Sequence, residues 1–242
     1  MNSSPLKSID NFDAAKLSSL RAGGVLKRVY FPSSLSHLNA LAQLMKLEGK
    51  DFEIIGKLTN TLVLSGGFKG TAVSCENLQG ITVSDNEVYA GAGESIAAVA
   101  YEAKTHELSG FEKLSGIPGT VGGAVCMNAG SFGAEISKIL KKAYVFDLES
   151  LCTKELSPKD LNMRYRSTSL MDGRKLVVGA CFELEKADRY HIENISRACI
   201  VQRKENQPSG PSLGSVFKKV NNISAGILIE GVKLKGESFG GM

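Results

Sequence analysis

Three groups of residues could do chemistry in this sequence, and two of them are rich in glycine. The strongest is Gly116-Ile117-Pro118-Gly119-Thr120-Val121-Gly122-Gly123-Ala124, which runs on through Asn128 to Gly133. Where side chains lack Cβ atoms, consecutive N–H groups can converge on one concavity and hold a diphosphate without a lysine. On the residues alone, a plain glycine-rich corner is the default account. The segment does not end in Gly-Lys-Ser/Thr, which disfavours a nucleoside triphosphatase. A second segment, Gly91-Ala92-Gly93-Glu94-Ser95-Ile96, is a partial dinucleotide fingerprint, but Ile96 stands where a third small residue is needed. A strand-to-helix turn explains it better. The third group is polar: Tyr165-Arg166 and, further on, Gly214-Ser215-Val216-Phe217-Lys218. Taken singly, Arg166 reads as a surface or ion-pairing arginine and Ser215 as a turn former.

Other chemistries are excluded more firmly. The five cysteines (75, 126, 152, 181, 199) contain no Cys-x-x-Cys pair and, being odd in number, make no disulfide framework. Three isolated histidines (37, 106, 191) offer no zinc spacing, so no metal is expected. The net charge is 29 − 25 = +4, too weak a bias for nucleic acid, and Trp is absent. Hydrophobic residues at 43% and charged residues at 22% describe a folded chain. Met1 to Asp10 is polar, unlike a signal peptide, and no apolar run is long enough to span a bilayer. A cytoplasmic protein, monomeric or weakly oligomeric, is the expectation.

The elements that must position these groups are short. Val25–Phe31 predicts a strand, Ser34–Glu48 a helix, and Glu53–Ile55 and Leu62–Leu64 short β stretches in a small βαβ-type unit. Strands then dominate: 71–74, 80–84, 88–90, 143–147 and 175–184, with one helix over Ser95–Glu107. A helix over 189–203 precedes a turn-rich stretch, and Ser224–Glu230 begins another helix or a buried segment. Strands that are not each followed by a helix indicate α+β rather than a doubly wound sheet. Arg203 and Lys204 at a helix C-terminus are explained by the helix dipole alone.

Residues 116–133 resemble the signature of the UDP-N-acetylenolpyruvoylglucosamine reductase family. Further blocks follow in that family's order. Leu20-Arg21-Ala22-Gly23-Gly24 resembles its N-terminal element, and Gly56-Lys57-Leu58-Thr59-Asn60-Thr61-Leu62 its Gly-x-Gly-Ser-Asn-x-Leu loop. Tyr165-Arg166-Ser167-Thr168 resembles Tyr-Arg-x-Ser, Gln207-Pro208 and Gly214–Lys218 resemble Gln-Pro and Gly-Ser-x-Phe-Lys, and 225–236 resembles the block after them. Leu58 stands where the family has glycine, which sets a side chain where the backbone should approach the ligand.

The resemblance implies an α+β, two-subdomain FAD-binding fold of the vanillyl-alcohol-oxidase/PCMH type, with a partial C-terminal α+β substrate domain. The corresponding spans are 1–66, 67–186 and 187–242. It implies FAD contacts from Gly56, Thr59, Asn60 and Leu62, and from Gly116, Ile117, Pro118, Gly119, Gly122, Gly123 and Asn128. The implied reaction is NADPH-driven reduction of UDP-N-acetylglucosamine enolpyruvate to UDP-N-acetylmuramate in peptidoglycan precursor synthesis. Arg166 would stabilise developing charge, Ser215 would deliver a proton, and Tyr165 and Lys218 would hold the UDP-sugar. The family continues past its Leu-Lys-Gly block to a catalytic glutamate, whereas this sequence stops at Phe239-Gly240-Gly241-Met242. A flavin-binding protein without that activity is therefore the alternative expectation, with an FAD-dependent oxidase of the wider superfamily behind it.

Overall fold

The computed structural model describes residues 5–48, 52–207 and 209–238; Pro208 and the 239–242 end lie outside the described residues. The first third comprises β1 (Lys7–Asp13), β2 (Val25–Phe31), α1 (Leu35–Glu48), β3 (Phe52–Ile55) and β4 (Phe68–Ser74). Leu38, Leu41 and Ala42, at helical spacing on α1, share a core with Tyr30 of β2 and Val73 of β4. The strand order is β1-β2-β4-β3, with β1 antiparallel to β2 and β4 parallel to both of its neighbours. β4, which follows residue 66, thus pairs with strands that precede it. Thr71, Ala72, Val73 and Ser74 are all buried, as a central strand covered on both faces must be. The 62–64 stretch makes no strand. Both of its leucines are exposed, and Val63 O accepts a hydrogen bond from the Gly24 amide at 2.9 Å.

The middle of the chain adds β5 (Ile81–Ser84), β6 (Glu87–Gly91), α2 (Ile96–Thr105), β7 (Leu108–Ser109), α3 (Val121–Cys126), β8 (Gly130–Ser131) and β9 (Ala134–Glu135). It continues with β10 (Leu140–Asp147), β11 (Cys152–Leu156), β12 (Lys175–Glu183) and β13 (Glu185–Lys186). Five of these strands form an antiparallel sheet in the order β11-β10-β12-β6-β5, and β7–β13 and β8–β9 are small pairs. Ser95 caps α2 by accepting from the Ala98 amide at 3.1 Å, and Ile96, Val99 and Ala103 bury one stripe of that helix. Phe111 meets Phe182 of β12 edge to face at 4.9 Å between ring centres, in the principal core.

Two helices close the described chain, α4 (Arg189–Asn206) and α5 (Ala225–Gly231). α4 packs on α2 and β7, with Ile192 buried and Lys104 3.4 Å from Glu193. Across 207–238 no described side chain is buried. Among the described residues, no helix is long and apolar enough to cross a membrane.

Candidate functional site

Within the glycine-rich segment, Val121–Cys126 is a helix where the sequence reads as a loop. Two adjacent glycines give α3 poor intrinsic propensity, so tertiary ties must form it. Thr120 caps it by accepting from Gly123 N at 3.3 Å. Val121 N donates to Glu94 O at 2.8 Å and Gly122 N to Ala92 O at 2.9 Å. The partial fingerprint at 91–94 is therefore the joint on which α3 sits. A Cβ on Gly93 would lie 2.5 Å from the carbonyl oxygens of Cys75 and Glu76, and one on Gly122 would lie 3.1 Å from the Ala92 Cβ. These glycines exist for backbone approach.

This changes where anion donors are found. The amides of Val121, Gly122 and Gly123 are spent within the chain, so the start of α3 does not present them to a ligand. The 56–62 loop does the opposite. Among the described residues, none of the six successive amides from Lys57 to Leu62 donates to an acceptor of the chain, and the Gly119 and Thr120 amides also lack one. The two loops lie together. Thr59 Oγ1 donates to Pro118 O at 3.2 Å, a Cβ on Gly119 (φ +131°) would stand 3.0 Å from Thr59 Oγ1, and one on Gly56 would stand 2.9 Å from Thr120 Oγ1. Ile117 packs on the principal core, and Pro118 is exposed. Free amides in a loop, facing a wall with no side chains to fill the gap, fit a pyrophosphate group.

Leu58 does not obstruct that approach. Its backbone is left-handed (φ +47°) and its side chain, 3% exposed, sits in a core cluster with Leu26, Val29, Phe31, Ile55 and Ala72. Asn128 is also turned inward. It is 1% exposed, its Nδ2 donates to Glu135 Oε2 (3.2 Å) and Arg164 O (3.0 Å), and its Oδ1 accepts from Ser137 N (3.0 Å). With both polar side-chain atoms engaged, it ties the end of α3 to the 164–167 turn.

Arg166 occupies that turn with φ +52° and donates to the carbonyls of Asn128 (3.1 Å) and Gly130 (2.5 Å). Its guanidinium lies 5.3 Å from the Tyr165 ring centre, and Tyr165 itself is exposed. Lys218 Nζ donates to Arg166 O at 3.3 Å, which brings the C-terminal stretch to the same place. Ser215, three residues earlier, is exposed. Thr168, at the serine position of the motif, keeps the hydroxyl at work by donating to Cys126 O at 2.6 Å and accepting from Leu170 N. Burial pushes the Cys75 thiol up to about 12 and raises that of Cys126, so neither supplies a thiolate nucleophile here. Among the described residues, no group of three His, Cys, Asp or Glu could hold a metal ion.

The helix dipole does not account for Arg203, contrary to the expectation from its place in the sequence. Its Nη2 donates to Ser131 Oγ at 2.8 Å, its Nη1 donates to Gln207 Oε1 at 3.2 Å, and it lies 5.6 Å from the Phe132 ring centre. A Cβ on Gly116 would stand 2.8 Å from its Nε, so that glycine makes room for it. No local signal pairs residues 116 and 203.

Comparison with known proteins identifies the cofactor domain and the family. Residues 26–149 match the family described as FAD binding domain, so the cofactor is FAD. The UDP-N-acetylenolpyruvoylglucosamine reductase of Caldanaerobacter subterraneus subsp. tengcongensis is 37% identical over 224 residues, 92% of this chain and 74% of its own. The enzyme of that name from Lactococcus lactis subsp. cremoris is 34% identical over 223 residues, again 92% and 74%. The crystal structure of UDP-N-acetylenolpyruvylglucosamine reductase (MurB) from Thermus caldophilus superposes with a TM-score of 0.81 at 27% identity, covering 98% of this chain and 83% of that one. Cholesterol oxidase from Brevibacterium sterolicum shares the fold over 75% of this chain and 38% of its own, with a TM-score of 0.55 at 16% identity. On these matches and the ordered motifs, the chain belongs to the UDP-N-acetylenolpyruvoylglucosamine reductase family.

Proposed function

We propose that the chain holds FAD between the 56–62 and 116–120 loops and reduces UDP-N-acetylglucosamine enolpyruvate to UDP-N-acetylmuramate with NADPH as reductant. The row of six unspent amides from Lys57 to Leu62, opposite a glycine wall, carries this reading. FAD, when bound, supplies the hydride that NADPH provides. The protein's own residues do the rest. Main-chain donors at 57–62 neutralise the diphosphate, Thr59 and Asn60 flank it, and Ile117 and Pro118 give an apolar wall.

Hydride addition to the enolpyruvyl double bond leaves a carbanion beside the substrate carboxylate. Arg166, held by two carbonyls, presents fixed positive charge to that developing enolate. The Ser215 hydroxyl gives the proton to the second carbon. Serine is a poor acid at neutral pH, yet a carbanion is basic enough to take its proton. Lys218 and Tyr165 hold the anionic UDP-sugar. The two sheets form the flavin walls, the stretch after Gln207 carries the substrate side, and a cytoplasmic setting suits this reaction.

A second reading is FAD binding without turnover. The lack of any buried side chain among the described residues of 207–238, the stretch on which Ser215 and Lys218 stand, favours it. Stopped-flow absorbance separates the two. In the reductase reading, NADPH bleaches the flavin and the enolpyruvyl substrate restores its colour; a flavin that is never restored leaves binding alone. A protein that cannot be loaded with FAD excludes both. Ser215→Ala should bleach normally and recover at least about a hundredfold more slowly, the low end for a lost acid–base group. Equal recovery would remove Ser215 from the mechanism.

A further inference from the structure

We propose that Leu58 is the positioning residue of the FAD loop, its buried side chain holding the left-handed turn that aims the amides of 57–62 at the pyrophosphate. This rests on the FAD reading above. Successive N–H groups converge on an anion when right- and left-handed residues alternate, and Leu58 supplies the left-handed step at φ +47°. Left-handed backbone is disfavoured for leucine, so something must hold it there. What holds it is burial. Lys57 and Asn60 on either side are exposed and Thr59 is half-buried, whereas the Leu58 side chain joins Leu26, Val29, Phe31 and Ala72 of β2 and β4. The loop thus has one apolar anchor in the first sheet and one polar tie, Thr59 to Pro118, across to the second unit.

Glycine at this position would accept the same φ but float free, since it has no side chain to bury and more conformations to lose on binding. A loop shaped before the ligand arrives spares the ordering cost of binding.

The test compares wild type, Leu58→Gly and Leu58→Met by amide hydrogen exchange of the FAD-free protein and by titration with FAD. Leu58→Gly should exchange faster at 57–62 with Val29 and Val73 unchanged, and bind FAD about tenfold more weakly, the scale of ordering a short loop. Leu58→Met, which refills the same space, should restore both. Unchanged loop exchange in Leu58→Gly, equal acceleration in β2 and β4, or unaltered FAD affinity would each overturn the role of Leu58. Wild type that fails to bind FAD would instead overturn the FAD reading on which it stands.

Discussion

Phe182 and Phe217 are the same residue type in two regions of one chain, and their surroundings are opposite. Phe182 on β12 is fully buried against Phe111, whereas Phe217 in the C-terminal stretch is 66% exposed. The contrast extends to whole segments. The sheets and α1–α3 bury apolar side chains against an opposing layer, while Val216, Val220, Ile227, Leu228, Val232 and Leu234 all remain exposed. Apolar residues at suitable spacing do not make a core; a second layer to receive them does. The residues proposed to hold the cofactor therefore stand on closed structure, and Ser215 and Lys218, proposed as proton donor and substrate contact, stand on a segment held by polar contacts.

The largest expected effect tests this contrast directly. Phe182→Ala should lose about 3–5 kcal/mol in urea unfolding, the usual loss for a buried aromatic. Phe217→Ala should stay within about 0.5 kcal/mol, as surface changes do. Similar losses for the two would erase the distinction. A smaller pair uses glycine. Gly93→Ala would place a Cβ 2.5 Å from two backbone carbonyls and should cost about 1–3 kcal/mol. Gly226→Ala in α5 meets nothing within 4 Å and should leave the main thermal transition unmoved. Smallest is the joint between the regions. Arg203→Met removes the Ser131 hydrogen bond and the Phe132 contact, at about 1–2 kcal/mol in the same unfolding assay. It should also hasten proteolysis after Lys204, and an unchanged cleavage rate would show that Arg203 does not join the two regions.

Much of the packed region is legible in the sequence because its signals are local. Ser95 followed by an apolar stripe gives α2, and the β-rich run at 25–31 gives β2 over the same residues. β1 is not legible because Ser8, Asp10 and Asn11 interrupt any apolar pattern on a strand with one mostly exposed face. α3 is hidden because its amides are fixed by carbonyls at 92 and 94, which no helix propensity records. The site divides the same way. The glycine motifs mark both loops, but the choice of which loop keeps free amides depends on tertiary bonding. The inward turn of Leu58, the burial of Asn128 and the reach of Arg203 to Gly116 are likewise settled by partners far away in sequence.

Ser19 Oγ donates to Ser212 O at 2.6 Å while Ser212 N donates back to Ser19 O at 3.2 Å. This reciprocal pair moors the C-terminal stretch to the turn between β1 and β2, and Lys218 moors it to the Arg166 turn of the other sheet. Ser215 lies between the two moorings like a span resting on two banks. Any widening or narrowing of the gap between those two anchor points must tug on that span, so Ser215, the proposed proton donor, is mechanically linked to how far they stand apart.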